Sequence, residues 1–116
     1  RAQVRRKTNV DRVPIAFVAL GDDDGIVGTA SLIFDDLEGD PRNPWLASVY
    51  VPPEHRKKGI ASALVRAVED AARRIGYDRL YLFTSTAPSL YAGMGWRTLE
   101  QRDYRGEHIQ VMEKAL

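Results

Sequence analysis

The chain has 116 residues, which is enough for one compact domain with its own core and too few for two. Hydrophobic residues make up 44% and charged residues 28%, a balance that excludes a disordered or fibrous protein. The net charge of +1 favours neither nucleic acid nor a membrane surface as a partner, and the lack of cysteine excludes disulfides, thiolate metal ligands and a cysteine nucleophile. No apolar run approaches the roughly 20 residues that cross a bilayer, so a cytoplasmic location is expected.

The first third of the chain predicts a β-hairpin. Residues 13–20 and 26–34 are apolar runs rich in β-branched side chains, and residues 21–25 between them have turn chemistry. Three consecutive aspartates, Asp22, Asp23 and Asp24, diverge from one another and lack the alternating ligands of a calcium loop. A solvated turn without metal is expected there.

A loop, a strand and a helix follow. Residues 35–44 form the loop, and residues 45–51 read as a strand that two prolines stop. From Ile60 the apolar positions recur at steps of three and four, which predicts an amphipathic helix that ends at Gly76. Glu69 is assigned to its exposed face, where it would pair with Arg73.

The last third predicts a strand at 80–83, a short helix at 87–92 and two strands at 96–102 and 108–112. A helix between two strands implies a parallel pair with a right-handed crossover. The order of elements therefore predicts an α/β domain.

Residues 49–61 carry the sharpest local signal, since a strand turns there into a helix that opens with small residues. The first amides of a helix lack partners within the helix, and their partial positive charge favours an anion. Gly59 and Ala61 keep bulk away, and three consecutive cations, Arg56, Lys57 and Lys58, stand beside them. By itself such a basic cluster is more often a solvated loop, but the position suits a polyphosphate.

Two motifs give the chain a family resemblance. Arg56, Gly59 and Ala61 fill the pattern R/Q-x-x-G-x-G/A, which resembles the acetyl-CoA signature of the GNAT superfamily of N-acetyltransferases. Residues 87–96 resemble that family's A-x-x-L-Y-x-x-x-G-F motif, with Trp96 in place of phenylalanine. The two motifs stand in the family's order, separated by one helix and one strand.

The resemblance implies a GNAT-like fold: a mixed, mostly antiparallel sheet with a parallel, splayed central strand pair and flanking helices. Acetyl-CoA would enter between strands 45–51 and 80–83 as cosubstrate, with no metal. The resemblance implies cofactor contacts at Val49, Tyr50, Val51, Arg56, Lys57, Lys58, Gly59, Ile60, Ala61, Ser62 and Thr84. Of these, the backbone near Val49 and Val51 would bind the pantetheine arm, and the amides from Arg56 to Ser62 the pyrophosphate.

Three departures from the family pattern stand out. Thr84 replaces a frequent asparagine, and Trp45 occupies a position where some members have a catalytic glutamate. Many relatives also have a further strand and one or two helices before these motifs. Residues 1–12 have room for the tail of one such helix, so the single domain at 1–116 is expected to be truncated at its start.

The resemblance and the lack of cysteine predict direct attack of a primary amine on the thioester, in a sequential mechanism. A backbone amide near Val49 or Tyr50 would bind the oxyanion, and Tyr91 is the catalytic candidate that donates a proton to the departing thiolate. No base stands out, and five side chains qualify by type alone: Glu54, His55, Asp103, Glu107 and His108. The acidic loop residues are a further candidate contact for a cationic acceptor: Asp35, Asp36, Glu38 and Asp40.

Other functions stay open at this point. A noncatalytic acyl-CoA-binding or sensor module would keep the phosphate site without the transfer chemistry. A nucleic-acid-binding domain would use the basic residues at the start of the chain and at 56–58, but the overall charge argues against it. The acceptor is undetermined, and a homodimer could form if the apolar last strand paired at the sheet edge.

Overall fold

The computed structural model describes residues 3–6 and 14–116. Within these ranges the chain forms seven strands and two α-helices, with a short 3-10 turn at Pro53–His55. The predicted order of elements is confirmed from the second strand onward, although the predicted first residue of that strand, Val13, lies outside the described residues. The elements are β1 Gln3–Arg6, β2 Ile15–Leu20, β3 Ile26–Ile33, β4 Trp45–Tyr50, α1 Ile60–Ile75, β5 Arg79–Thr84, α2 Pro88–Ala92, β6 Arg97–Tyr104 and β7 Glu107–Ala115.

The strands form a sheet in the order β1-β2-β3-β4-β5-β7-β6. Strands β4 and β5 are parallel and are joined in sequence through α1, whereas the other neighbours are antiparallel. This arrangement confirms the predicted mixed, mostly antiparallel sheet with a parallel central pair.

The start of the chain differs from the prediction. Gln3–Arg6 is not the tail of a helix but a strand, paired antiparallel with β2 from Gln3 opposite Leu20 to Arg6 opposite Phe17. The segment has no apolar periodicity of either kind, so its structure comes from the free edge of β2 rather than from its own pattern. The basic residues Arg1, Lys7 and Arg12 lie outside the described residues.

Helix α1 packs on the sheet through the apolar stripe that the sequence predicts. Leu64, Val65 and Val68 are fully buried against β2 and β3. The helix lies so close to β3 that a Cβ on Gly28 would stand 2.9 Å from the Leu64 side chain. This close packing fixes where the first turn of α1 stands relative to the sheet.

Two predictions about exposure and edges are wrong. Glu69 is buried at 4% exposure instead of pairing with Arg73 on the surface, because Trp96 and Lys114 cover it. Strand β7 lies between β5 and β6, so the last strand has no free edge with which to join a second subunit.

Candidate active site

The parallel strands β4 and β5 meet at one end and diverge. The Tyr81 amide donates to the Pro44 carbonyl at 3.1 Å, and Trp45 pairs with Tyr81; over the rest of these two fully described strands no further register pair joins them. The divergence confirms the predicted splayed pair and opens a cleft of about 1010 Å³. Its lining comprises Asp36, residues 46–50 of β4 and Val51 directly after them, His55, Arg56, Lys57, residues 59–62, residues 82–87, Leu90 and Tyr91.

A bulge in β4 shapes one wall of the cleft. Ser48 has a left-handed backbone, with φ of 57°, and the register with β3 shifts by one residue between Thr29 and Ser31. The Thr29 hydroxyl donates to the Ser48 carbonyl at 3.3 Å and so fixes the bulge. Bulges re-aim backbone groups and are frequent beside active sites. The backbone around Val49, where the sequence predicts an oxyanion donor, therefore departs from regular pairing.

The amino end of α1 faces the same cleft. Gly59 precedes the helix with φ of 79°, a left-handed conformation that favours glycine, and its carbonyl accepts the first helical hydrogen bond from Ala63 at 3.1 Å. The amides of Ile60, Ala61 and Ser62 thus precede the helical ladder and are available to a ligand. The Arg56 amide, by contrast, donates to the Pro53 carbonyl at 3.3 Å. The first of the amides predicted to bind the pyrophosphate is therefore already hydrogen-bonded within the protein.

The three cations of this turn have different surroundings. The Arg56 Nε donates to the Val51 carbonyl at 2.8 Å, and its guanidinium lies 6.0 Å from the centre of the Tyr50 ring. This contact ties the turn to the end of β4. Lys57 has φ of 65°, a strained conformation for a side chain of its size, and both Lys57 and Lys58 are exposed.

Tyr91 stands on α2 and lines the cleft. Its side chain is 7% exposed and meets the Trp96 ring edge-on, with centroids 6.1 Å apart. Burial raises the pKa of the Tyr91 phenol above its ordinary value of 10.0, so the hydroxyl keeps its proton at neutral pH. The Tyr91 carbonyl also accepts hydrogen bonds from the Met94 and Trp96 amides, which close the turn after α2.

Comparison with known proteins identifies this architecture. The model of the acetyltransferase (GNAT) family matches residues 3–96. The chain belongs to the GNAT acetyltransferase family. Human N-acetyltransferase 8 is 40% identical over 81 residues, which are 66% of this chain and 35% of that protein. Rat N-acetyltransferase 8F1 is 42% identical over 82 residues, which are 67% of this chain and 36% of that protein.

The matched part of the chain covers about a third of the length of these curated relatives. Solved structures match it more completely. A GNAT family acetyltransferase from Elizabethkingia anophelis, solved with acetyl-CoA bound, superposes with a TM-score of 0.74 at 15% identity, over 99% of this chain and 98% of that one. Nourseothricin acetyltransferase gives 0.74 at 26% identity, over 93% and 68%. The predicted GNAT-like α/β fold is therefore confirmed.

A largely buried polar network joins α1 to the turn that follows α2. The Glu69 carboxylate of α1 accepts from the Trp96 indole nitrogen and from the Lys114 ammonium, each at 3.0 Å. The same ammonium donates to the Met94 carbonyl at 2.8 Å. The network fastens the turn after α2, and with it Tyr91, to the helix whose first turn faces the cleft. Sequence reasoning missed it because the three partners lie far apart in the chain.

Thr84 has a structural task at the end of β5. Its hydroxyl oxygen accepts hydrogen bonds from the Thr86 amide at 3.3 Å and the Ala87 amide at 3.0 Å. It thereby orders the loop that leads into α2 and lines the cleft. The threonine oxygen thus supplies a hydrogen-bond acceptor at the position where the family resemblance predicts an asparagine.

The five candidate bases differ in their position relative to the cleft. His55 lines the cleft, whereas Glu54, Asp103, Glu107 and His108 are exposed outside its lining. His108 bonds Asp103 at 3.1 Å and Gln101 at 3.0 Å on the β6–β7 hairpin. Asp36, which the sequence places in an acidic loop, lines the cleft as well. The sequence does not indicate this position, because Asp36 belongs to no motif and reaches the cleft only through the fold of a long loop.

Within residues 3–6 and 14–116, no cluster of three or more histidine, aspartate or glutamate side chains has the arrangement of a metal site. Nor does any helix in that part of the chain have the length and apolar character needed to span a bilayer.

Proposed function

We propose that the chain transfers an acetyl group from acetyl-CoA to a primary amine by direct attack of the amine on the thioester. One observation carries the proposal: the parallel strands β4 and β5 separate next to a helix whose first amides have no partner in the helix. An acyl chain needs such a slot and a diphosphate needs such a helix end. The relatives named N-acetyltransferase support the same reaction class.

The residues present fit the cosubstrate. The amides of Ile60, Ala61 and Ser62 would hold the pyrophosphate, with the flanking amides of Lys57, Lys58 and Gly59. Space stays open over Gly59, since a Cβ there would meet no atom within 4 Å. The exposed ammonium groups of Lys57 and Lys58 supply charge for a further phosphate.

The pantetheine arm and the reacting carbonyl would lie along β4. Backbone groups of Val49 and Val51 can bind an extended chain as a neighbouring strand would, because β5 has diverged from them. An amide of the bulged segment, at Val49 or Tyr50, would bind the oxyanion of the tetrahedral intermediate.

Tyr91 would act at the departing sulfur. Its buried phenol is protonated at neutral pH and can donate a hydrogen bond to the developing thiolate. Complete proton transfer from a phenol to a thiolate is uphill, since a free thiol titrates near about 8.5. Tyr91 is therefore proposed to stabilise the leaving group by hydrogen bonding, while the proton lost by the attacking nitrogen ends on the coenzyme sulfur.

Thiol release from acetyl-CoA with a panel of primary amines tests this proposal. The panel should include L-leucinamide, L-leucine, 1,5-diaminopentane, a peptide with a free amino terminus and nourseothricin. We expect amine-dependent release of coenzyme A and an acetylated amine of the correct mass. Binding of acetyl-CoA by calorimetry without release on any amine would instead support an acyl-CoA-binding module, and absence of both would reject the site.

A further inference from the structure

Asp36 stands where two cavities adjoin. It lines the cleft between β4 and β5, and it also lines a smaller cavity of about 520 Å³ bounded by residues 35–41, Tyr104 and Arg105. Among the described residues it is the one shared by both linings. A second substrate entering through the smaller cavity would therefore pass Asp36 to reach the cleft.

Two other carboxylates of this loop, those of Asp40 and Glu38, form ion pairs with arginines. Asp40 pairs with Arg42 at 2.6 Å, and Glu38 pairs with Arg105 at 3.4 Å. Asp36 is half-buried, and no side chain in the described ranges forms an ion pair or hydrogen bond with it. Burial raises the pKa of its carboxyl, since no nearby cation offsets the loss of water. Within the described residues, Asp36 therefore lacks the cationic partner that buried carboxylates normally have.

Contacts of the neighbouring residues hold the loop backbone that carries Asp36 at the cleft. The next residue, Leu37, is 2% exposed and packs in a buried cluster with Trp45. The Glu38 amide donates to the Tyr104 hydroxyl at 3.3 Å, and the Trp45 indole nitrogen donates to the Arg42 carbonyl at 2.5 Å. A fixed group binds a ligand without first losing its own conformational freedom.

We infer that Asp36 receives the amino group of the acceptor as an ammonium ion, which releases one proton to water before the neutral amine attacks the thioester. The acceptors are then cationic amines without a carboxylate beside the reacting nitrogen. This inference rests on the proposed function and adds a substrate class to it. An ion pair with a half-buried carboxylate is less screened by water than one at the surface, so its attraction is stronger. A carboxylate next to the amine would be brought against Asp36 and the exposed Asp35, and the repulsion disfavours free amino acids.

The test compares L-leucinamide with L-leucine, which differ by an amide in place of the carboxylate next to the amine. Both are assayed with the wild-type chain, with Asp36→Asn and with Asp78→Asn as the control, since Asp78 is an exposed aspartate outside the lining of both cavities. Asp36→Asn should lower kcat/KM for L-leucinamide about tenfold or more, mainly through KM, because a charge-assisted contact is lost. The leucinamide-to-leucine ratio should fall, the KM for acetyl-CoA should stay unchanged, and Asp78→Asn should stay within about twofold of wild type.

The outcomes separate this inference from the proposed function. L-leucinamide and L-leucine differ in the pKa of their amines, but this difference is the same for every variant. It therefore cancels when the leucinamide-to-leucine ratio is compared between variants. An unchanged ratio and KM in Asp36→Asn, or a wild-type chain that turns over other amines but not L-leucinamide, overturns the role of Asp36 and leaves acetyl transfer standing. A wild-type chain that releases no thiol with any amine of the panel overturns both. Thermal melting and acetyl-CoA titration of each variant confirm that it is folded.

Discussion

Removal of the Glu69 carboxylate should test how strongly α1 is coupled to the turn after α2. Glu69→Ala leaves the Trp96 indole and the Lys114 ammonium without the acceptor that each now has at 3.0 Å, in a site where the Glu69 side chain is 6% exposed. Breaking a buried pair from one side costs about 3–5 kcal/mol because the remaining charge stays uncompensated. At about 4 °C per kcal/mol for a domain of this size, the melting temperature should fall by roughly 12–20 °C.

Chemical denaturation of four chains measures this coupling: wild type, Glu69→Met, Lys114→Met and the double variant. The double variant removes both charges and leaves two neutral groups without these partners, the Trp96 indole nitrogen and the Met94 carbonyl, at a cost of about 1–3 kcal/mol each. It should therefore be more stable than the sum of the single effects predicts. Asp70→Ala is the matched control, because its exposed pair with Arg73 at 2.8 Å should contribute less than about 1 kcal/mol. Single effects that add without coupling, or a Glu69 variant no less stable than the Asp70 variant, would refute the reasoning.

Three further outcomes follow from the cleft. Tyr91→Phe should lower kcat about tenfold or more while acetyl-CoA binding by calorimetry is retained, because a hydrogen bond to the leaving sulfur is lost; an unchanged kcat would dismiss the role. Gly59→Ala and Gly76→Ala should each cost about 1 kcal/mol, since both glycines have left-handed backbones with open space around them. The Gly59 variant alone should raise the KM for acetyl-CoA several-fold, and equal KM values would contradict the phosphate cradle. Burial raises the pKa of the folded Asp36 carboxyl above its ordinary 3.8, so the ionised form destabilises the fold as pH rises through the raised pKa. Asp36→Asn should therefore stabilise the chain at neutral pH, and denaturation at several pH values should show this gain shrinking toward pH 3.8, whereas a constant difference would contradict it.

The sequence predicts the elements that carry their own periodicity. The apolar steps from Ile60 to Ile75 place α1 within its observed bounds, and the strand, helix, strand order gives the parallel pair. The motif positions Gly59 and Tyr91 both line the observed cleft, although their roles remain predictions.

What the sequence does not predict depends on contacts between distant segments. Helical periodicity assigns Glu69 to the polar face, but Trp96 and Lys114 arrive from 27 and 45 residues away and bury it. Strand β1 forms because β2 offers an edge, and Asp36 reaches the cleft because a long loop is anchored by Leu37. None of these features has a pattern among neighbouring residues from which it could be predicted.

The divergence of β4 from β5 leaves strand backbone unpaired in the middle of a sheet rather than at its rim. Such backbone attracts extended segments of other chains as readily as a cosubstrate. We therefore expect cellular supplies of acetyl-CoA to protect the protein from aggregation and degradation, since occupancy both covers this seam and favours the folded state by mass action. Metabolic scarcity would then reduce the abundance of the protein as well as the rate of the reaction proposed for it.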